Sequence, residues 1–362
     1  MIQVTKPFLP PINEYLAQIE RIWASHQVSN RGPLVLELEF LLKDFLKAKN
    51  ILLMTNGTIP LQIAVKLLGN RGEVITTPFS YVATTSAIVW ENCTPVFVDI
   101  HPKYLTIDES KIESAITSRT TAILATHVFG NPCETTVIND IAKKYGLKVI
   151  YDAAHCFGVK YLGKDIFSFG DVSTCSFHAT KIFHTGQGGA IFCSENQLFD
   201  NMFISHRFGI GKNQSIHGLG INGIMSELHA AMGLALFPYI NQIISQRKSI
   251  AEIYDNLLDA NLISKLQLRS GVEWNYCYYP ILFESEGVLL KVTSELEKLG
   301  VFPRRYFYPT LNSLPYLEYG RMNIAEDVAA RIVCLPLYPD LNQNIVHKIC
   351  QTINGVLHKK PR

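Results

Sequence analysis

The chain has 362 residues, of which 48% are hydrophobic and 18% charged, and its formal net charge at pH 7 is +2. This composition indicates a globular protein with a large core in two domains, and the near-neutral charge gives no basis for a nucleic-acid or membrane-surface partner. The longest apolar run, residues 230–240, is much shorter than the roughly 20 residues of a membrane span. The first fifteen residues lack the layout of a signal peptide. We therefore expect a cytoplasmic protein.

Cysteine and histidine spacing argues against disulfides and metal. The eight cysteines include no CxxC pair, and several lie in apolar runs where cysteine behaves as a small hydrophobic residue. The eleven histidines form no HExxH motif and no Cys/His cluster at ligand spacing. We expect reduced thiols and no bound metal ion.

Strand-like and helical patterns alternate through the first half of the chain. Helices are predicted at 13–25 and 34–48, and seven strand-like runs follow at 51–54, 73–76, 95–100, 121–127, 148–152, 172–177 and 190–193. Helical patterns separate most of these runs, at 58–68, 80–90, 109–116 and 135–145. This order predicts an α/β domain with a mostly parallel seven-stranded sheet.

A second region begins after the predicted helix at 225–237. It contains a long helix at 239–260, two or three strands including 276–283, and helices at 288–299 and 343–357. We therefore predict a large domain over residues 1–237 and a smaller α/β domain over residues 238–362.

A lysine and three glycines follow the sixth strand. Residues 171–194 read DVSTCSFHATKIFHTGQGGAIFCS, with Lys181 just past the strand and Gly186, Gly188 and Gly189 marking a tight turn. A lysine held at a strand end is partly desolvated, and its neutral amine can form a Schiff base with a carbonyl. The alternative is an ordinary solvated lysine, which this segment alone does not exclude.

Asp152 ends the strand KVIYD. Ligands bind at the carboxyl ends of the strands in parallel sheets, so Asp152 and Lys181 are expected at the same edge. A lysine, a strand-end carboxylate and a phosphate cradle are together what pyridoxal phosphate requires, because the carboxylate keeps the pyridine nitrogen protonated. The competing interpretation is that Asp152 caps a following helix.

The phosphate cradle is predicted at Gly57 and Thr58, which open a helix whose free N–H groups favour an anion. Ser176 could add a hydroxyl group to it. Tyr81 could stack on the cofactor ring, and His155 could donate to the phenolic oxygen of the cofactor. Plainer interpretations stay open here: a surface serine, a core tyrosine and a structural histidine.

With these residues assembled, the chain resembles the DegT/StrS family of nucleotide-sugar aminotransferases, which are fold-type-I pyridoxal-phosphate enzymes. The resemblance covers nearly the whole chain, in the motifs NGT (56–58), PFSYVATTSAI (78–88), PVFVDI (95–100), THVFGNP (126–132), YDAAH (151–155), SFHATK (176–181) and GQGGAI (186–191). It implies a three-layer α/β/α large domain, a smaller C-terminal domain, pyridoxal 5'-phosphate as cofactor and L-glutamate as amino donor.

The resemblance also implies residue roles. Lys181 would carry the cofactor and move the proton, while Asp152 would pair with the ring nitrogen. The remaining cofactor contacts would come from Gly57, Thr58, Tyr81, His155 and Ser176. In the family an asparagine of the neighbouring subunit reaches the phosphate, which points to Asn222 here and to a homodimer with shared active sites.

Within the family, His155 together with SFHATK and RRYFYPTLN (304–312) most resembles the branch that makes dTDP-4-amino-4,6-dideoxy-D-glucose from dTDP-4-keto-6-deoxy-D-glucose for surface polysaccharide such as O-antigen. Sugar or nucleotide contacts are expected from the loop residues Asn30, Arg31, Arg207 and Tyr306.

Three alternatives stay open at this stage. Amination could occur at C3 of the sugar. A pyridoxal-phosphate-dependent sugar dehydratase is a second possibility, although those relatives carry histidine where this chain has Lys181. A non-catalytic, ligand-sensing regulatory protein on the same fold is the third, and neither a DNA-binding appendage nor a basic patch supports it.

Overall fold

The computed structural model describes residues 1–211, 213–317 and 319–358. The α-helices of this part of the chain are α1 (Ile12–Ser25), α2 (Pro33–Phe45), α3 (Thr58–Leu68), α4 (Val82–Trp90), α5 (Thr135–Tyr145), α6 (Asn196–Ser205), α7 (Glu227–Leu236), α8 (Ile240–Leu257), α9 (Glu286–Lys298), α10 (Asn323–Arg331) and α11 (Gln343–Leu357). Its strands are β1 (Ile2–Gln3), β2 (Ile51–Met54), β3 (Glu73–Thr76), β4 (Thr94–Phe97), β5 (Thr120–Thr126), β6 (Lys148–Asp152), β7 (Lys160–Tyr161), β8 (Lys164–Asp165), β9 (Val172–Ser176), β10 (Gly189–Cys193), β11 (Ser264–Lys265), β12 (Val272–Glu273), β13 (Tyr279–Leu282), β14 (Val301–Phe302) and β15 (Ile332–Leu335).

The predicted seven-stranded sheet is present, in the order β2-β10-β9-β6-β5-β3-β4. The neighbours from β9 to β4 are parallel, and β10 runs antiparallel to both β9 and β2. Asp152 pairs in register with Thr126 of β5 and with Thr174 of β9. The carboxyl ends of β6 and β9 therefore meet at one edge, as the sequence predicts for Asp152 and Lys181.

Alternating side chains divide the sheet into two faces. Leu52 and Met54 of β2 pack in a cluster with α3, whereas Ile51 and Leu53 pack in another cluster with α2 and α7. In β5, Ala122 and Leu124 belong to the α3 side, while Ile123 and Ala125 pack with α5. Because successive side chains of a strand point to opposite faces, helices cover the sheet on both sides. The predicted three-layer α/β/α arrangement is confirmed.

The C-terminal region has its own sheet and core. Strands β11, β13 and β15 form an antiparallel sheet, and its apolar residues pack with those of α8, α9 and α11. Two pairings join this region to the rest of the chain, since β1 pairs with β14 and β12 pairs with β7. A division at residues 237 and 238 stays a prediction.

Some predicted bounds were wrong, for local reasons. The helix predicted at 109–116 is two 3₁₀ turns, Glu109–Lys111 and Glu113–Ala115, and Ile112 between them is the buried anchor of the segment. The strand predicted from residue 276 begins at Tyr279, because Tyr276 has a φ of 55°, which is incompatible with a strand. Within the described ranges, no helix combines the length and apolar character needed to cross a bilayer.

Candidate active site

A cavity of about 360 Å³ lies at the carboxyl edge of the central sheet. Eight of the residues predicted from the sequence line it: Gly57, Thr58, Tyr81, Asp152, His155, Ser176, Lys181 and Tyr306. They come from five separate stretches of the chain, and the parallel topology brings most of them together because each follows or ends a strand.

Four other predicted residues do not line the cavity of their own chain: Asn30, Arg31, Arg207 and Asn222. Arg31 is ion-paired with the buried Glu39, to which its Nε donates at 3.2 Å. Two guanidinium groups lie near the centre of the Phe203 ring. That of Arg31 is 5.6 Å away, and that of Arg207 is 5.4 Å away. Asn222 is exposed and forms an isolated β-bridge with Arg207.

Asp152 is held by hydrogen bonds to both carboxylate oxygens. The Thr84 hydroxyl group donates to Oδ2 at 2.7 Å, and the N–H of Ala154 donates to Oδ1 at 3.1 Å. A chain of hydroxyl groups continues from Thr84 to Ser80 at 2.7 Å and from Ser80 to Thr126 at 2.9 Å. No helix begins between Asp152 and β7, so the helix-cap interpretation is wrong and the Ala154 contact belongs to a turn.

The electrostatics of Asp152 suit a cationic partner. Burial raises the pKa of this carboxyl group, because desolvation disfavours its charged form. The hydrogen bonds from Thr84 and Ala154 and the charge of Lys181 act in the opposite direction. A protonated nitrogen placed against Asp152 would offset the cost of desolvation and keep it ionised.

Lys181 follows β9 and lies in a tight turn, where its N–H donates to the carbonyl of His178 at 2.8 Å. Its side chain is half-buried and lines the cavity, with Nζ 5.8 Å from the centre of the Tyr278 ring. The amine thus faces the same cavity as the Asp152 carboxylate. An ordinary solvated surface lysine would have no reason to be placed there.

The start of α3 forms an anion cradle with Ser176. A Cβ atom added to Gly57 would lie 2.8 Å from the Cβ of Ser176, so only glycine permits this close approach. Asn56 caps the helix, its Oδ1 accepting from the N–H groups of Thr58 at 2.8 Å and Ile59 at 3.0 Å, so these two N–H groups are not free for an anion, contrary to the sequence prediction. The Ser176 hydroxyl accepts from the N–H of His178 at 3.4 Å, which leaves its own hydrogen free to donate to an anion.

Two aromatic side chains complete this side of the cavity. Tyr81 precedes α4 in extended backbone and is 55% exposed. The alternative prediction that Tyr81 is a core residue is therefore wrong, and its ring can cover a flat ligand. His155 is buried, and its Nδ1 accepts from the N–H of Phe129 at 3.1 Å. Burial lowers the pKa of His155 well below its ordinary value, so the ring is neutral and Nε2 carries its hydrogen.

The sequence predicts no function for five other residues that line the cavity: His178, Gln187, Tyr278, Arg304 and Phe307. His178 and Arg304 lie inside the motifs SFHATK and RRYFYPTLN, so their positions were visible although no role was assigned to them. The Nδ1 of His178 is 2.9 Å from the hydroxyl group of Thr180. Across the described ranges, no cluster of His, Cys, Asp and Glu could hold a metal ion.

These side chains fit pyridoxal 5'-phosphate. They offer a buried carboxylate, a cavity-facing amine, an anion cradle that requires glycine and an exposed aromatic ring. The DegT/DnrJ/EryC1/StrS aminotransferase family matches residues 12–354 of the chain. The chain belongs to this family. It is therefore a pyridoxal-phosphate-dependent aminotransferase, and the family, fold class and cofactor predicted from the sequence are confirmed.

Full-length relatives in this family have named activities. The chain is 42% identical over 363 residues to a dTDP-4-amino-4,6-dideoxy-D-glucose transaminase of Shigella dysenteriae, covering 98% of this chain and 99% of that protein. It is 39% identical to a protein of the same name from Escherichia coli, with 98% of each covered. The crystal structure of DesI, determined in the presence of its TDP-sugar product, superposes with a TM-score of 0.93 at 28% identity, covering 99% of this chain and 93% of that one.

Proposed function

We propose that this aminotransferase moves the amino group of L-glutamate to dTDP-4-keto-6-deoxy-D-glucose and so forms dTDP-4-amino-4,6-dideoxy-D-glucose. The product would serve surface polysaccharide synthesis, such as that of O-antigen, and the reaction would take place in the cytoplasm. The observation that carries the proposal is the single cavity shared by the Lys181 amine, the Asp152 carboxylate and the cradle at Gly57. The near full-length similarity to two transaminases named for this amino sugar supports the choice of substrate.

The cofactor contacts are proposed residue by residue. The hydroxyl groups of Thr58 and Ser176 and the backbone at Gly57 would bind the phosphate. Tyr81 would cover one face of the ring, and Nε2–H of His155 would donate to the phenolic oxygen. When bound, pyridoxal 5'-phosphate supplies an electron sink that stabilises negative charge on the carbon bearing the amino group.

Asp152 would maintain that electron sink. Its carboxylate would pair with the ring nitrogen, and the positive charge there would compensate for burial. Thr84 and Ala154 donate to the two oxygens at 2.7 and 3.1 Å, which fixes the orientation of the carboxylate. Asp152 would thus keep the ring nitrogen of the bound cofactor protonated.

Lys181 would be both the attachment point and the proton carrier. Its Nζ faces the cavity, where it would carry the cofactor. When free, the amine would take up the proton from the donor carbon that bears the amino group and hold it for transfer within the cavity. The Tyr278 ring forms the edge of the cavity beside this nitrogen, which lies 5.8 Å from the ring centre.

A homodimer with shared sites would supply the remaining contacts. Helices α1 and α2 both pack on α7, and each of the three exposes large apolar side chains, such as Trp23 (67%), Phe40 (71%) and Leu228 (43%). A second copy covering these residues would bury that surface. We propose that Asn222 reaches the partner's phosphate site and that Asn30, Arg31 and Arg207 belong to the same shared region, with Tyr306 on the sugar side.

Product identification tests the proposal. The loaded enzyme is incubated with L-glutamate and, in separate reactions, with dTDP-4-keto-6-deoxy-D-glucose, a dTDP-3-keto sugar, and UDP- and GDP-linked 4-keto sugars. We expect stoichiometric 2-oxoglutarate and, by NMR, an amine at C4 of the dTDP sugar. Amination at C3, or preference for another nucleotide, would overturn the substrate assignment. Loss of a sugar hydroxyl group without 2-oxoglutarate would show a dehydratase instead.

A further inference from the structure

The segment that leads into β13 contacts both the backbone and the ring of His155. The buried Asn275 donates through Nδ2 to the carbonyl of His155 at 2.8 Å and to that of Phe157 at 2.9 Å. The Tyr278 ring packs edge-on against the imidazole, with ring centres 4.9 Å apart. Backbone and ring of His155 are therefore both fixed by residues more than one hundred positions further along the chain.

Trp274, in the same segment, acts on the residue that bonds to the imidazole. Its Nε1–H donates to the carbonyl of Phe129 at 2.8 Å. Phe129 has a φ of 55°, in the left-handed region that is unfavourable for a bulky side chain. The next residue, Gly130, has a φ of 77° and lies close to the indole. A Cβ atom added to Gly130 would be 3.0 Å from Nε1 of Trp274. The indole thus stabilises a backbone conformation that Phe129 does not favour by itself.

That conformation sets the hydrogen position on His155. The Phe129 N–H donates to Nδ1 of His155 at 3.1 Å. A hydrogen on Nδ1 would place two donors opposite each other, which is unfavourable. The neutral ring therefore carries its hydrogen on Nε2. The cavity places two charged groups near this ring, Lys181 and Asp152. The charge of Lys181 also lowers the pKa of His155, which favours the neutral form further.

We propose that Trp274 is a positioning residue of the active site. It holds the backbone of Phe129, whose N–H bonds to His155, so that His155 presents Nε2–H to the phenolic oxygen of the cofactor. This inference rests on the cofactor contact proposed for His155. It does not depend on which sugar is aminated. Trp274 touches no reacting group, so its effect must pass through Phe129 and His155.

The first test needs no substrate. In protein labelled with ¹⁵N-histidine, the His155 signals are assigned by their loss in His155→Gln. We expect a pyridine-type shift for Nδ1 and a pyrrole-type shift for Nε2, and in Trp274→Phe a mixture of the two tautomers. A protonated Nδ1 in the unaltered protein would overturn the proposal, and this outcome does not require Trp274→Phe to fold.

The second test is a pH titration of the visible absorbance of the loaded enzyme, again without substrate. A donor to the phenolic oxygen stabilises its anion, so weakening that donor raises the midpoint of the titration. We expect Trp274→Phe to raise the midpoint by about half to one pH unit, which corresponds to one weakened hydrogen bond. His155→Leu should shift it at least as far, and His155→Gln, which keeps a donor, should shift it less.

The double variant and a matched control complete the design. Trp274→Phe combined with His155→Leu should shift the midpoint no further than His155→Leu alone, because the two residues act through one contact. Tyr276→Phe removes a hydroxyl group from the ring that packs on Trp274, at 4.7 Å, and should leave the midpoint unchanged. An unshifted midpoint in folded Trp274→Phe, or additive shifts in the double variant, would refute the positioning role. A wrong sugar substrate would leave all these results intact.

Discussion

The two walls of the active-site cavity are built differently. On the wall formed by the central sheet, functional groups are fixed by short hydrogen bonds, such as that from Thr84 to Asp152 at 2.7 Å. The other wall comes from the C-terminal region and consists mainly of aromatic side chains and one guanidinium group. There the Tyr278 and Tyr306 rings lie 5.1 Å apart, and the Arg304 guanidinium lies 4.6 Å from the Tyr306 ring.

This difference separates two tasks. A hydrogen-bonded frame suits a group that stays bound and whose position decides the chemistry. An aromatic wall with one guanidinium group suits two substrates that must bind and leave in turn. Changes on the sheet wall should therefore lower turnover or cofactor affinity, whereas changes on the C-terminal wall should act on the Michaelis constants.

The largest effect is expected for Lys181→Ala. Removal of the amine eliminates both the attachment point and the proton carrier, so we expect turnover to fall by at least about 10³-fold. Release of 2-oxoglutarate measures this, and thermal unfolding shows whether the fold is kept. Lys160→Ala is the matched control, because Lys160 is an exposed lysine paired with Glu273 and should leave turnover unchanged. Transamination retained by Lys181→Ala would refute the role.

Asp152→Asn should have the next largest effect. The amide cannot hold a proton on the ring nitrogen, so we expect turnover to fall by roughly 10²-fold or more. Thr84→Val, which removes the donor at 2.7 Å but keeps the carboxylate, should cost much less, about threefold to tenfold. Single-turnover kinetics with L-glutamate compare the two variants. Full activity in Asp152→Asn would contradict the electron-sink assignment.

The sheet wall was largely predictable because topology determines it. Gly57 follows β2, Asp152 ends β6 and Lys181 follows β9, so the alternation of strands and helices was enough to bring them to one edge. The antiparallel direction of β10 was predictable from the glycines between the strands rather than from the strands themselves. It follows from the tight turn after Lys181, where Gly186 has a φ of 75° and turns the chain back.

The C-terminal wall and the loop contacts depend on backbone angles and distant pairs that sequence patterns do not reveal. Arg31 stays a proposed substrate contact, but its surroundings were not visible in the sequence. Its φ of 58° and that of Asn30, 64°, accompany an ion pair between Arg31 and Glu39. The bond from Trp274 to Phe129 likewise joins residues 145 positions apart, and neither lies in a motif that specifies the other.

A smaller effect is expected for Gly57→Ala. The added Cβ would lie 2.8 Å from that of Ser176 and would push the serine hydroxyl group out of the cradle. The loss of about one hydrogen bond should weaken cofactor binding roughly tenfold, with little change in turnover once the enzyme is saturated. Equilibrium dialysis against the cofactor measures the affinity. Gly287→Ala is the control, because Gly287 lies in α9 and an added Cβ would have its nearest contact at 3.9 Å. Equal affinities for the two variants would contradict the cradle.

The last prediction contrasts two adjacent arginines. Arg305 is fixed by contacts within the C-terminal region, because its Nη2 donates at 2.8 Å both to Glu286 and to the carbonyl of Ala330. Arg304 is exposed and lines the cavity, the one arginine that does so in the part of the chain that the structure describes. The amino donor and the sugar nucleotide are both anions, and a guanidinium group binds carboxylate or phosphate through paired hydrogen bonds.

Replacing each arginine by glutamine should therefore give opposite results. Arg304→Gln should raise the Michaelis constant of an anionic substrate about tenfold, at most, and leave the unfolding temperature unchanged. Arg305→Gln should lower the free energy of unfolding by about 1 kcal/mol, because partly buried acceptors lose their donor, with smaller effects on the Michaelis constants. Initial rates with L-glutamate and with the sugar nucleotide varied separately, together with thermal unfolding, distinguish the two. If Arg304→Gln changed only stability, the C-terminal wall would be a structural support rather than a substrate surface, and the contrast between the walls would fail.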